Sequence, residues 1–207
     1  MKRSILVSIA VVVIVAILAF VTGGEEKYKT LDIGAKAPGT TINMLDISGN
    51  STSLDELKKD NGLLVIFSCN TCPFVIQWED RYPGLGNACS DADIGMVLVN
   101  SNEAKRENAD SFEEMKLHAS QKKYNCSYVV DEKSVLANSF GAKTTPHVFL
   151  FNKDMELVYE GAIDDNSGDA SAVKEHYLDD AILNLKNGKT IDPAKTRALG
   201  CSIKRLK

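Results

Sequence analysis

The chain has 207 residues, 44% of them hydrophobic and 25% charged, which suits one well-buried domain better than two small ones. Its net charge of −4 and the lack of a large basic patch leave nucleic-acid binding without support. The one local basic excess, Lys195, Arg197, Lys204, Arg205 and Lys207, reads as a solvated tail.

In chain order, "MKR" precedes an uncharged, nearly unbroken apolar run over residues 4–21. Such a run is a secretory signal or a membrane anchor, at the lower length limit for a core of ~30 Å. With Lys2 and Arg3 retained on the cytoplasmic side, the rest is expected outside, tethered by residues 4–21 or secreted if the segment is cut. The expected layout is a signal or anchor over 1–24, a linker over 25–36, a folded domain over 37–190 and a basic tail over 191–207.

Within the domain, Thr41, Asn43 and Leu45 alternate with Ile42 and Met44 as a weak edge strand, and "DISGN" is a turn. "STSLDEL" carries a helix start, with Ser53 as cap and Glu56 three residues on. "LLVIF" (63–67) and "IGMVLV" (94–99) are continuous apolar runs, the mark of strands buried on both faces. A helix is predicted from Pro73, with Val75, Trp78, Tyr82 and Leu85 on its apolar stripe and a break at Pro83. Another spans 110–121, "SYVV" reads as a short strand, and "EKSVLANSF" is a helix stopped by Gly141. "HVFLF" and "MELVYE" form a hairpin about "NKD", and a final helix covers about 171–186. This βαβα order followed by a hairpin and a helix implies an α/β fold with a parallel core.

The chemistry centres on "FSCNTCPFV" (67–75). A helix starting at Pro73 puts Cys72 at its N-cap, where unpaired N–H groups and the helix dipole favour a thiolate. Proline suits the first helical position because its missing N–H would have no partner there. Cys69, three residues earlier, can close a small ring with Cys72 and resolve a mixed disulfide. A redox pair is the favoured reading, with a permanent disulfide and metal ligation as alternatives. Zinc lacks a second Cys-x-x-Cys or paired histidines, while copper would need a distant ligand such as His147. Of the five cysteines, Cys201 is a candidate resolving thiol in the tail, and Cys89 and Cys126 read as structural. Trp78 reads as core, His118 and His176 as exposed, and Asp164 with Asp165 as a turn.

With "GAKTTPHVFLF", in which Thr145-Pro146 precedes a strand, the pattern resembles the thioredoxin superfamily. It is most similar to the redoxin branch, with its peroxiredoxin-like (AhpC/TSA-like) and membrane-tethered thioredoxin-like members, over roughly residues 31–187 and into a "GCSIK" tail. The resemblance implies a central mixed β-sheet flanked by helices, with an N-terminal β-hairpin extension. It also implies a cis Pro146 facing the cysteines, with the Thr145 backbone pairing a bound substrate chain. Cys72 then takes the nucleophile's place, while the usual partner position holds Val75 and the usual buried acid is Ile66. Peroxiredoxins carry a threonine where Cys69 stands, and an arginine near the strand that begins at His147, where none is found. The function expected is exported thiol–disulfide exchange on protein substrates, with an upstream electron donor or acceptor and no organic cofactor. A thiol peroxidase and a thioredoxin-fold copper carrier are the alternatives.

Overall fold

The computed structural model describes residues 28–206, so the apolar run over 4–21 lies outside the described residues. Among the described residues, no helix is long and apolar enough to cross a membrane.

The first strand, β1 (Met44–Asp46), turns through "DISGN" into β2 (Ser51–Thr52), giving the expected N-terminal hairpin. Only the end of the alternating 41–45 stretch is strand, because the Ile42 N–H closes a turn on the Gly39 carbonyl. Ser53 and Glu56 form the capping box of a one-turn helix, α1 (Leu54–Leu57). The two apolar runs become β3 (Gly62–Ser68) and β4 (Ile94–Asn100), with every residue buried.

The helix after the cysteines is interrupted, as Pro83 requires. α2 (Pro73–Trp78) leads through a 3-10 turn at Glu79–Arg81 into α3 (Tyr82–Asp91), which carries the proline in its first turn. α4 (Phe112–Gln121) is capped by the Ser111 hydroxyl, and β5 (Ser127–Val130) comes next. α5 (Val135–Phe140) ends at Gly141, whose φ of 61° places it in the left-handed region typical of a helix stop. The hairpin strands are β7 (His147–Asn152) and β8 (Leu157–Gly161), preceded by the two-residue β6 (Thr144–Thr145).

The last helix, α6 (Tyr177–Lys186), starts later than its stripe suggests. Residues 170–172 make a 3-10 turn, and Asp165 ties down the chain at 174–175. Its carboxylate accepts the Lys174 N–H at 2.9 Å, and its own N–H donates to the Glu175 carbonyl at 3.3 Å, which leaves Val173 outside the helix.

The seven-stranded sheet has the order β2-β1-β5-β4-β3-β7-β8. Its β3–β4 and β4–β5 pairs are parallel and the rest antiparallel, so the sheet is mixed. Period-two alternation divides the central strands between two cores. Leu64, Ile66, Val148 and Leu150 face the side covered by α2, α3, α4 and α6. Leu63, Val65, Phe67, Phe149 and Phe151 face the side covered by α1 and α5. On that second side Phe67, Phe140 and Phe149 meet edge to face at centroid distances of 5.3–5.7 Å, each pair worth about 0.5–1.5 kcal/mol beyond burial. This aromatic triad fixes the end of β3, from which the cysteine loop departs.

Both ends of the described chain lie along the domain. Leu31, Gly34 and Ala37 donate backbone hydrogen bonds to Phe140, Leu157 and Met155. The tail, read from its charge as solvated, is docked instead: Thr196 and Glu160 bond through their backbones, and Ile203 is buried in the second core. Arg205 lies 4.3 Å from the Tyr28 ring centroid and donates to Asn138 and Ala142. A cluster of positive charge in sequence is silent about the apolar and backbone contacts that hold it down.

Candidate active site

The cysteine loop leaves the carboxyl end of β3, beside that of β4, which is where open α/β sheets place their ligands. Cys72 is the N-cap of α2 and Pro73 its first residue, as the sequence implies. Both Cys69 and Cys72 are buried, and all five cysteines are free thiols.

Their proton affinities are driven apart. A hydrogen bond from the Cys69 thiol is the main cause that lowers Cys72 to about 4. Burial opposes it, and the Cys201 thiol and the Val75 and Cys201 N–H groups add to the fall. Cys69 moves far above the ordinary thiol range, first because its proton is held by Cys72 and then because it is buried, with the nearby Asp110 charge acting in the same sense. The Cys72 sulfur also lies 3.0 Å from the Thr145 carbonyl oxygen, a contact that suits the protonated thiol. On ionisation that oxygen repels the sulfur, and the four donors outweigh it. The Cys69 sulfur is 3.4 Å from the Thr145 hydroxyl. The arrangement therefore sets an easily ionised thiol, Cys72, in front of a second thiol, Cys69, that keeps its proton.

The Thr145–Pro146 bond is cis, and Thr145 touches both sulfurs. Its outer backbone edge is already paired. The tail forms β9 (Cys201–Ser202), antiparallel to β6, with Thr145 opposite Cys201 and Thr144 opposite Ser202. The place expected for a substrate strand is thus filled by the protein's own chain. Gly200 makes this approach feasible, since a Cβ there would lie 2.4 Å from the Thr145 carbonyl oxygen. Cys69, Cys72, Thr145 and Cys201 line a cleft of about 160 Å³, with Lys105 and Lys204 as its cations and no arginine in its wall. The structure thus brings every proposed site residue together.

A buried carboxylate organises this corner. Asp110 accepts from the Asn70 N–H at 2.9 Å, from Asn100 Nδ2 at 2.9 Å and from Asn102 Nδ2 at 3.0 Å. The Tyr128 hydroxyl donates to Asn70 Oδ1 at 2.9 Å, and the Lys204 N–H donates to Asn102 Oδ1 at 2.8 Å. Sequence reasoning missed this network. The signal available was a run of amides, "VNSN", just past an apolar strand, where side chains that end a parallel strand face the ligand end of the sheet.

Other candidates resolve differently. His147 is buried, its Nδ1 accepting from the Lys143 N–H at 3.2 Å and its Nε2 set 2.5 Å from Glu160. Both ring nitrogens are engaged, and among the described residues no group of three His, Cys, Asp or Glu side chains is arranged to hold a metal ion. His118, read as exposed, is half-buried because Nε2 meets buried Glu79 at 2.7 Å, alongside Lys122 at 2.5 Å. His176 is exposed as expected. Trp78 is core, and its indole N–H donates to buried Asp164 at 2.7 Å. Cys89 and Cys126 line a separate hollow and are pushed up to about 12 by burial, which leaves them poor nucleophiles.

Comparison with known proteins bears on the family and the fold. A sequence model described as the AhpC/TSA family matches residues 33–160. An uncharacterized conserved protein from Geobacillus kaustophilus is similar at 29% identity and a TM-score of 0.79, over 86% of this chain and 94% of its own. A hypothetical protein from Sinorhizobium meliloti 1021 is similar at 27% identity and a TM-score of 0.78, over 86% and 97%. A putative thiol:disulfide interchange protein DsbE from Chlorobium tepidum shares the fold at 16% identity and a TM-score of 0.61, over 76% and 99%. No curated protein matches the chain in sequence.

Proposed function

Because the chain belongs to the AhpC/TSA family of thioredoxin-fold redoxins, we propose that it is an exported thiol–disulfide oxidoreductase acting on protein dithiols and disulfides. What carries this reading is the geometry at the end of β3: Cys72 caps α2, Cys69 is buried behind it, and Thr145, joined to Pro146 by a cis bond, touches both sulfurs, a setting that lowers the proton affinity of Cys72 and raises that of Cys69. Cys72 attacks a substrate disulfide and forms a mixed disulfide. Cys69 then attacks Cys72, releases the substrate thiol and leaves a Cys69–Cys72 bridge for an external dithiol to reduce. Thr145 and Pro146 border the sulfurs and form the edge along which a substrate backbone docks. The apolar run over 4–21 is the basis for proposing export, with a tether or cleavable signal within residues 1–24 ahead of a redoxin domain over 37–190 and a tail over 191–207.

The test is turnover of a small disulfide, bis(2-hydroxyethyl) disulfide, with dithiothreitol as reductant. Cys72→Ser abolishes turnover, and Cys69→Ser leaves Cys72 held in a disulfide with the substrate or with Cys201 instead of in the Cys69–Cys72 bridge. Turnover that survives Cys72→Ser refutes the assignment.

A second reading, thiol peroxidase, has one observation in its favour. With the tail docked, the cleft of about 160 Å³ accommodates a peroxide but no extended chain. Cys72 would then form a sulfenic acid that condenses with Cys69 or Cys201. Against it, the cleft offers lysines where a peroxide-polarising arginine is expected. Hydrogen peroxide consumption at a rate matching that of the small disulfide would favour the peroxidase.

A further inference from the structure

The β6–β9 pair places a third cysteine where an incoming substrate strand would put its own. Cys201 lies opposite Thr145 in an antiparallel pairing, in the cleft that holds Cys69 and Cys72. Two independent features hold it there. Gly200 removes the one side chain that would collide with the Thr145 carbonyl. Beyond the strand, the Ile203 N–H donates to the Lys143 carbonyl at 3.0 Å, the Lys204 carbonyl accepts from the Ala104 N–H at 2.8 Å, and the Ile203 side chain is buried. The strand is anchored on both sides of the cleft, like a ligand with its own tether.

Resting on the oxidoreductase reading above, we infer that β9 is a tethered surrogate for a substrate strand. It delivers Cys201 to Cys72 and closes the Thr145 edge to extended polypeptides, so that tail release controls which disulfides the enzyme takes.

The electron balance is complete. A small disulfide, RSSR, enters the cleft with the tail docked, and the Cys72 thiolate forms Cys72–S–S–R while one RS− departs. The Cys201 thiol loses its proton to that RS− and its sulfur attacks Cys72. The S–S bond between the Cys72 sulfur and the substrate sulfur breaks, and the second RS− leaves and takes a proton from solvent. RSSR has gained two electrons, and Cys72 and Cys201 are joined as a disulfide. Cys69 next attacks Cys72, passes its proton to the departing Cys201 sulfur and leaves the Cys69–Cys72 bridge, an exchange with no net electron transfer. An external dithiol then returns both sulfurs to the thiol state. A protein disulfide takes the same route only after β9 lifts, and Cys69 alone then resolves it.

The test compares wild type with Gly200→Val, which forces the tail from the Thr145 carbonyl, and Ile203→Ala, which loosens its buried anchor. The readout is the ratio of kcat/KM for insulin disulfides to that for bis(2-hydroxyethyl) disulfide. Both variants are expected to raise the ratio by about fivefold or more, since specificity here is the difference between a filled and an open edge. In unmodified protein, one equivalent of the small disulfide followed by acid quenching is expected to give a Cys72–Cys201 bridge, mapped by mass spectrometry, that yields to Cys69–Cys72 with time. An unchanged ratio in a folded variant overturns the inference. So does a wild-type map in which Cys72–Cys201 never appears, and that map decides alone if neither variant folds. Failure of wild type to reduce the small disulfide instead overturns the oxidoreductase reading itself.

Discussion

Replacing Cys69 with alanine removes the principal donor to the Cys72 sulfur while leaving the helix cap and the Thr145 contact in place. A hydrogen bond to a charged group contributes about 1.5–3 kcal/mol, and one pKa unit corresponds to about 1.36 kcal/mol. The Cys72 midpoint, lowered to about 4 in the intact site, should therefore rise by about 1–2 units. At pH 5 the thiolate fraction then falls from about nine-tenths to somewhere between one-half and one-tenth. The assay is iodoacetamide labelling from pH 3.5 to 9 with peptide-level quantification. The shape of the profile matters more than the absolute rate, because thiolates of low pKa are intrinsically weaker nucleophiles. An ordinary thiol of pKa ~8.5 loses reactivity almost a thousandfold between pH 8 and pH 5, whereas wild-type Cys72 should lose about a tenth. Cys89 and Cys126, both near 12, should stay unlabelled across this range. A wild-type midpoint above pH 7, or one that Cys69→Ala leaves in place, refutes the account of the pair.

Three further outcomes are expected from the same structure. Asp110→Asn turns an acceptor of three buried donors into a mixed group and should cost about 2 kcal/mol or more, seen as a Tm lower by about 4–8 °C. Ser53→Ala breaks the capping box and should cost about 1 kcal/mol by denaturant midpoint, with the Cys72 labelling profile unmoved. Burial pushes the Glu160 carboxyl up, yet His147 and Lys195 together hold it below its ordinary 4.5. Its contribution to stability is thus fully present above pH ~4.5 and disappears as pH falls through the lower folded value, so Glu160→Gln should flatten the acid limb of a stability–pH curve measured between pH 3 and 7.

Short-range rules account for the parts of the molecule that were legible in the sequence. The fully apolar 63–67 and 94–99 runs became the buried central strands, and Ser53, Pro73, Pro83 and Gly141 each punctuated a helix where their backbone chemistry requires. Cys69, Cys72, Thr145 and Pro146 could be grouped because family resemblance joins distant segments that periodicity cannot. The rest depended on contacts between such segments. β9 is two residues long and pairs across more than fifty positions, so no alternation betrays it. Glu79 lies in the 3-10 turn after α2 and His118 on α4, and nothing local tells that their side chains meet at 2.7 Å. The start of α6 was lost to Asp165, whose side chain competes with the helix for the Lys174 N–H.

Asp110 holds two pieces of chain that share no covalent neighbourhood. One carboxylate oxygen carries the amide of Asn70, next to Cys69, and the other carries Asn102, which in turn grips the backbone at Lys204. Three hydrogen bonds thus link the backbone beside Cys69 to the backbone of the tail. The cysteine loop and the tail therefore share one buried side chain as their common support, and a substitution at Asp110 is expected to loosen both at once.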